Sequence, residues 1–151
     1  MTPVPSLALK DRLEIRELEA RYALATDTGD AIARANTFTP DGVLESGGIR
    51  YEGRAAIAMQ TTELWARNEP NRYGARPGET QHWIHNLVID GHGHRATAVA
   101  YVMLMLATDE GAKAVFIGQY LDTLEKVDGG WLFARKVSQT WPVPVNRPST
   151  S

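Results

Sequence analysis

The side chain best suited to move a proton in this chain is the imidazole of His82, set in the stretch Thr80-Gln81-His82-Trp83-Ile84-His85-Asn86-Leu87-Val88-Ile89. Histidine is the natural proton acceptor near neutral pH because its ordinary pKa is about 6.5. A carboxylate on its far ring nitrogen fixes the tautomer and stabilises the imidazolium that forms. Asp27 is the candidate carboxylate: it lies beside Gly29 and follows the apolar Ala23-Leu24-Ala25, which turns it inward. Taken alone, each residue also has a plainer reading. Asp27 can cap the Thr28-Gly29-Asp30 turn, and His82 can be a core histidine bonded to a backbone carbonyl.

Other chemistries find little support. The chain has no cysteine, which removes thiolate nucleophiles, disulfides and cysteine-bound metals. It holds neither a Gly-x-Ser-x-Gly elbow nor a phosphate-cradling glycine loop, so no nucleophilic serine and no cofactor is expected. His82, His85, His92 and His94 lie close in sequence, but two fall in a turn and two point to opposite faces, so no metal is expected either. A formal charge of -2 and the absence of a Lys/Arg run offer nothing to nucleic acid or an anionic membrane. Val99 to Ala107 is too short a run to span a bilayer as a helix, and Met1 to Ser6 lacks the basic and apolar regions of a signal peptide. A soluble, cytoplasmic protein acting on a small molecule is the expectation.

The elements that must position these residues come as helices first and strands afterwards. With 151 residues, 43% of them hydrophobic, the chain suffices for a single core: one domain over 1–145 with a flexible tail, 146–151. Asp11 to Thr26 carries Leu13, Leu18, Tyr22 and Ala25 near one stripe, with a charged outer face of Arg12, Glu14, Arg16, Glu17, Glu19 and Arg21. Ala31 to Phe38 reads as a second helix ended by Thr39-Pro40-Asp41-Gly42, and Arg54 to Arg67 as a third that buries Ile57, Leu64 and Trp65. Between them Val43-Leu44-Glu45 and Ile49-Arg50-Tyr51 form a small hairpin across Ser46-Gly47-Gly48. Asn68 to Glu79 is a loop long enough to cover a pocket.

From Thr80 onward, four runs separated by Asp90 to Gly93, Asp109-Glu110-Gly111 and Asp128-Gly129-Gly130 read as an antiparallel meander. Strand alternation places His82, Ile84, Asn86 and Val88 on one face, with Trp83, His85, Leu87 and Ile89 on the other. Helices followed by a long sheet make an α+β layout, with the helices on the concave side of the sheet.

Five segments in order carry a resemblance: Tyr22-x-x-x-x-Asp27, Thr39-Pro40-Asp41-Gly42-Val43, Tyr51-Glu52-Gly53, His82-x-x-x-Asn86 and Gly130-Trp131-x-Phe133. Together they resemble the SnoaL-like branch of the nuclear-transport-factor-2-like superfamily, and within it scytalone dehydratase, hexachlorocyclohexane dehydrochlorinase and bile-acid dehydratase. The resemblance implies a cone-shaped α+β barrel, a cofactor-free lyase, and an aspartate at position 27 orienting a proton-abstracting histidine at position 82. It also implies a homo-oligomer, a dimer or trimer.

The same resemblance assigns pocket roles to Tyr22 and Tyr51, and to Lys136 a part in leaving-group departure. Residues five apart on a helix diverge by about 140°, so Tyr22 and Asp27 converge only if the helix ends near Asp27. Lys136 lacks the planar fork of an arginine and reads more readily as a solvated surface lysine. Strand parity and the resemblance together give a mainly apolar pocket wall of Val102, Leu104, Phe116, Gly118, Tyr120, Ser138 and Thr140, with room for a ring over Gly118. That wall suits a small hydrophobic aromatic or alicyclic substrate. Two other functions stay open: an isomerase or cyclase of ketosteroid-isomerase type with Asp122 as its base, and a non-catalytic module like a dioxygenase small subunit.

Overall fold

A computed structural model describes residues 6–143. The flexible tail expected at 146–151 and the segment Met1–Pro5 lie outside the described residues. The chain runs α1 (Leu9–Thr28), α2 (Ala31–Ala35), β1 (Phe38–Ser46), β2 (Ile49–Glu52), α3 (Gly53–Arg67), β3 (Thr80–His92), β4 (Arg95–Thr108), β5 (Gly111–Val127) and β6 (Gly130–Thr140). All six strands form one curved sheet in the order β2-β1-β6-β5-β4-β3, open at β2 and β3 rather than closed. The helices pack against it, as the α+β reading requires.

The meander from β3 to β6 is antiparallel as expected, and two glycines with positive φ turn the β1–β2 hairpin. One pairing is not local: β1 runs parallel to β6, with Phe38 opposite Phe133 and Val43 opposite Arg135. Between these points β1 advances five residues while β6 advances two, so Thr39-Pro40-Asp41-Gly42 is an irregularity inside a strand and not the end of a helix. Phe38 leaves the second helix because the core claims its ring. It is fully buried, its ring tilted against that of Phe133 with centroids 5.5 Å apart, and Arg54 of α3 donates twice to its carbonyl.

Helix α1 buries Ile15, Leu18, Glu19, Tyr22, Ala23 and Ala25, whereas Leu13 is exposed. Its charged face is not all solvated. Arg12 donates to the Ile89 carbonyl at 2.8 Å, and Asp11 accepts from Lys126 and the Trp131 indole, so the helix is tied to both sides of the sheet. In α3, Ile57 is buried and Leu64 is largely exposed. Trp65 packs on Gly29, where a Cβ would come within 2.5 Å of the indole. Gly29 also adopts φ 72° to stop α1, so only glycine meets both demands.

Strand β3 contains the main departure from simple alternation. His85 pairs with Tyr101 and Val88 with Val99, so β3 spends one extra residue there, and Asn86 takes φ 53°. This β-bulge flips the parity. Thr80, His82 and Ile84 face the helices; beyond the bulge Leu87 and Ile89 do so, while Val88 is 61% exposed. Asn86 and Val88 therefore do not share the face of His82. No helix among the described residues is long and apolar enough to cross a membrane.

Candidate active site

His82 lies on the edge strand β3, against the end of α1. The Asp27 carboxylate grips it at two points: Oδ1 lies 2.6 Å from the ring Nδ1, and Oδ2 accepts from the His82 backbone N–H at 2.9 Å. The edge position makes this possible, because an edge strand presents backbone donors that no neighbouring strand uses. The carboxylate thus replaces a missing strand partner and orients the ring in one move. Both side chains are mostly enclosed, at 23% and 15% exposure.

The dyad borders a cavity of about 270 Å³ between the helices, the sheet and the 68–79 loop. Helix α1 ends at Thr28, one residue past Asp27, with Gly29 as its C-cap, and Tyr22 and Asp27 both border this cavity. The loop forms one wall. Asn71 organises it by accepting from the backbone N–H groups of Tyr73 and Ala75, and Tyr73 lies 6.0 Å from the Phe116 ring, centroid to centroid.

Of the expected wall, Leu104, Tyr120 and Ser138 do border the cavity. Val102 is instead packed in the core, and Thr140 is exposed. The space over Gly118 is not free for a ligand: a Cβ there would meet the Phe116 ring at 2.6 Å and the Gln139 carbonyl oxygen at 2.3 Å. Phe116 fills that space itself. Gly118→Ala is accordingly expected to cost about 1–3 kcal/mol, and a denaturant titration equal to that of the parent protein would refute this packing. The lining as a whole is not mainly apolar, since Thr26, Arg34, Gln60, Thr61 and Ser138 contribute to it.

Tyr51 sits outside the cavity, half-buried over α3 beside Met59 and Glu63. Lys136 is neither solvated nor at the cavity wall. It is fully buried, its Nζ 2.8 Å from Glu19 Oε2 and 2.9 Å from Asp122 Oδ2, and 4.0 Å from the centre of the Tyr120 ring. Asp122 is sealed into this triad, so it offers no base to a ligand, and the ketosteroid-isomerase arrangement loses its carboxylate.

Burial pushes the Asp122 carboxyl well above the usual carboxylate range, with Lys136 opposing and the neighbouring Glu19 charge adding to the rise. Glu19 falls below its ordinary value: burial opposes this, but the Lys136 charge and hydrogen bonds from Asp122 and Lys136 outweigh it. One ammonium thus faces two carboxyl groups that it shifts unequally, Glu19 ending below its ordinary value and Asp122 above. Asp122 Oδ1 and Glu19 Oε1, like Glu14 Oε2, are enclosed carboxyl oxygens without a hydrogen-bond partner among the described residues.

Arg34 is the cavity residue that the sequence did not bring forward. It is 95% enclosed, being 5% exposed, and donates to the Gln60 amide oxygen, to Thr61 Oγ1 at 2.7 Å and to the Tyr22 hydroxyl at 3.1 Å. The only local sign was its place between Ala33 and Ala35, a charge flanked by small apolar residues. Among the described residues no group of three or more His, Cys, Asp or Glu side chains is placed to hold a metal ion.

The sequence profile of the SnoaL-like domain matches residues 7–137. Rv3472 of Mycobacterium tuberculosis, a protein of unknown function solved as an aspartate-to-asparagine variant, is 31% identical, with a TM-score of 0.74 over 87% of this chain and 72% of that one. An NTF2-like protein with a cystatin-like fold from Novosphingobium aromaticivorans is 26% identical, with a TM-score of 0.72 over 89% and 84%. A candidate scytalone dehydratase from the same organism is 21% identical, with a TM-score of 0.69 over 95% of each chain, a likeness of fold alone. No curated protein matches the chain. By its profile and its fold, this chain belongs to the SnoaL-like domain family, whose members include dehydratases and isomerases.

Proposed function

We propose that the protein is a cofactor-independent lyase in which His82, held by Asp27, removes a proton from carbon and a neighbouring leaving group departs from a small cyclic substrate. The observation that carries this reading is the two-point grip of Asp27 on residue 82. With Nδ1 engaged by the carboxylate, Nε2 keeps the lone pair that can accept a proton. As the C–H bond breaks, its electron pair becomes the new C=C bond and the C–O bond to the leaving hydroxyl breaks.

Tyr22 supports the departure. An arginine only donates, so the phenol oxygen accepts from Arg34 and its own proton is free to be given to the leaving oxygen, which departs as water. The proton on the imidazolium then restores the phenol. The test is turnover by the purified chain, with no metal, nucleotide or partner added, of cyclic β-hydroxy and β-halo carbonyl compounds. A requirement for any of those additions, or full activity in His82→Ala, would overturn the proposal.

We also propose that the functional unit is a homo-oligomer. The outer sheet face carries Tyr101 at 47% and Ile117 at 53% exposure beside Met103 and Trp141, an apolar patch that a second copy of this chain would cover. Sedimentation is expected to give more than a monomer, and Ile117→Glu a shift toward monomer. A monomeric parent protein would remove this reading.

A further inference from the structure

The cavity contains a buried positive charge that the lyase chemistry above uses only as a hydrogen-bond donor to Tyr22. Every partner of the Arg34 guanidinium is neutral: the Gln60 amide oxygen, the Thr61 hydroxyl and the Tyr22 hydroxyl. Arg34 forms no ion pair with any carboxylate among the described residues. Its Nε–H is enclosed and has no acceptor. Two carboxylates border the same cavity: Asp27, occupied at both oxygens by residue 82, and Glu69, which is exposed on the 68–79 loop and makes no ion pair with Arg34.

Burying a cation without a counterion is costly, because the hydration it gives up is not replaced. The other buried cation among the described residues, Lys136, has two carboxylates against it. Arg34 differs in having none while bordering an open cavity. The polar lining around it and the fixed, permanent charge of a guanidinium suit an anionic oxygen better than a hydrocarbon.

We propose that Arg34 is the counterion of the ligand: the substrate is an organic monoacid whose carboxylate binds Arg34, with the rest of its skeleton lying toward His82. This deepens the lyase reading by naming its substrate class, and rests on that reading only in calling the ligand a substrate. The carboxylate anchors at the α2–α3 side of the cavity, and the proton to be removed is presented to the β3 side. Thr61 and Gln60 hold the guanidinium in place, so Arg34 acts as a binding residue.

The test is binding, not turnover, so it can fail separately from the lyase proposal. Benzoate, phenylacetate and 2-naphthoate would each be compared with the matching amide by calorimetry at neutral pH. At least one acid is expected to bind the parent protein tenfold or more tightly than its amide, and to shift the Arg34 Nε–H signal of arginine-labelled protein. The preference should persist in His82→Ala and fall to within about twofold in Arg34→Met. The NMR signal is read on the parent protein and so does not depend on that variant folding. No acid outbinding its amide, an unmoved Arg34 signal, or an undiminished preference in a folded Arg34→Met protein would each overturn the inference.

Discussion

Replacing His82 by alanine is expected to lower turnover by about 10²–10⁴-fold, the usual contribution of a positioned general base, while leaving the melting temperature close to that of the parent protein. The ring borders the cavity at the sheet edge and packs into no aromatic cluster, so its loss opens no large void in the core. Asp27→Asn should cost activity to a similar degree for a different reason. The carboxylate accepts two hydrogen bonds, from Nδ1 and from the backbone N–H, whereas an amide offers one acceptor and one donor. It must either abandon the backbone or donate to the ring, which stabilises the tautomer with its lone pair on the wrong nitrogen. The stability cost of that mismatch should stay within about 1–3 kcal/mol. Steady-state kinetics with a parallel urea titration separates the two effects. An active His82→Ala protein would remove the mechanism, and an active Asp27→Asn protein would remove the orienting role of the carboxylate alone.

The largest effect on folding is expected at Lys136. Lys136→Met leaves Glu19 and Asp122 buried with no cation, and breaking a buried ion pair from one side costs about 3–5 kcal/mol. The pH dependence has a definite sign. In the parent protein Glu19 is held below its ordinary value, so its contribution to stability is present above the usual carboxylate range and is lost as the pH falls. In the variant, burial acts without the lysine and raises both carboxyls. Groups raised in this way favour the folded state below the ordinary carboxylate range, and that stability is lost as the pH climbs through the elevated values. The deficit of Lys136→Met should therefore be greatest at neutral to alkaline pH and shrink on acidification. Replacing all three residues with apolar side chains of similar volume should recover much of the loss. A deficit below about 1 kcal/mol, or one that does not change with pH, would show that the triad does not carry the stability assigned to it.

Much of the framework was legible in the chain because its signals are local. The turns at Gly47-Gly48, Gly111 and Asp128-Gly129 punctuate runs of alternating or continuously apolar residues, and these runs became strands close to the expected limits. The inward setting of His82 followed from the same alternation. That alternation failed four residues later, since a bulge adds one residue and inverts every side chain beyond it; a left-handed Asn86 signals such a bulge only once the partner strand is known. Phe38 was misplaced for a similar reason, as its helical neighbourhood is overruled by a pairing with Phe133 on the last strand. Lys136 and Glu19 each looked like a solvated charge, because a strand lysine and a helix glutamate give no local sign of each other.

Near-neighbour signals in the chain sufficed for the order of elements, the family, and the residues chemically able to act, because periodicity and turn chemistry are settled locally. Tertiary structure decided which of those residues meet. The separations of 55 positions from Asp27 to His82 and of 117 from Glu19 to Lys136 are closed only by the packing of α1 on the sheet. A side chain's charge state, exposure and hydrogen-bond partner belong to that packing, which is why Lys136 became a core counterion and Arg34 an unbalanced charge facing the cavity.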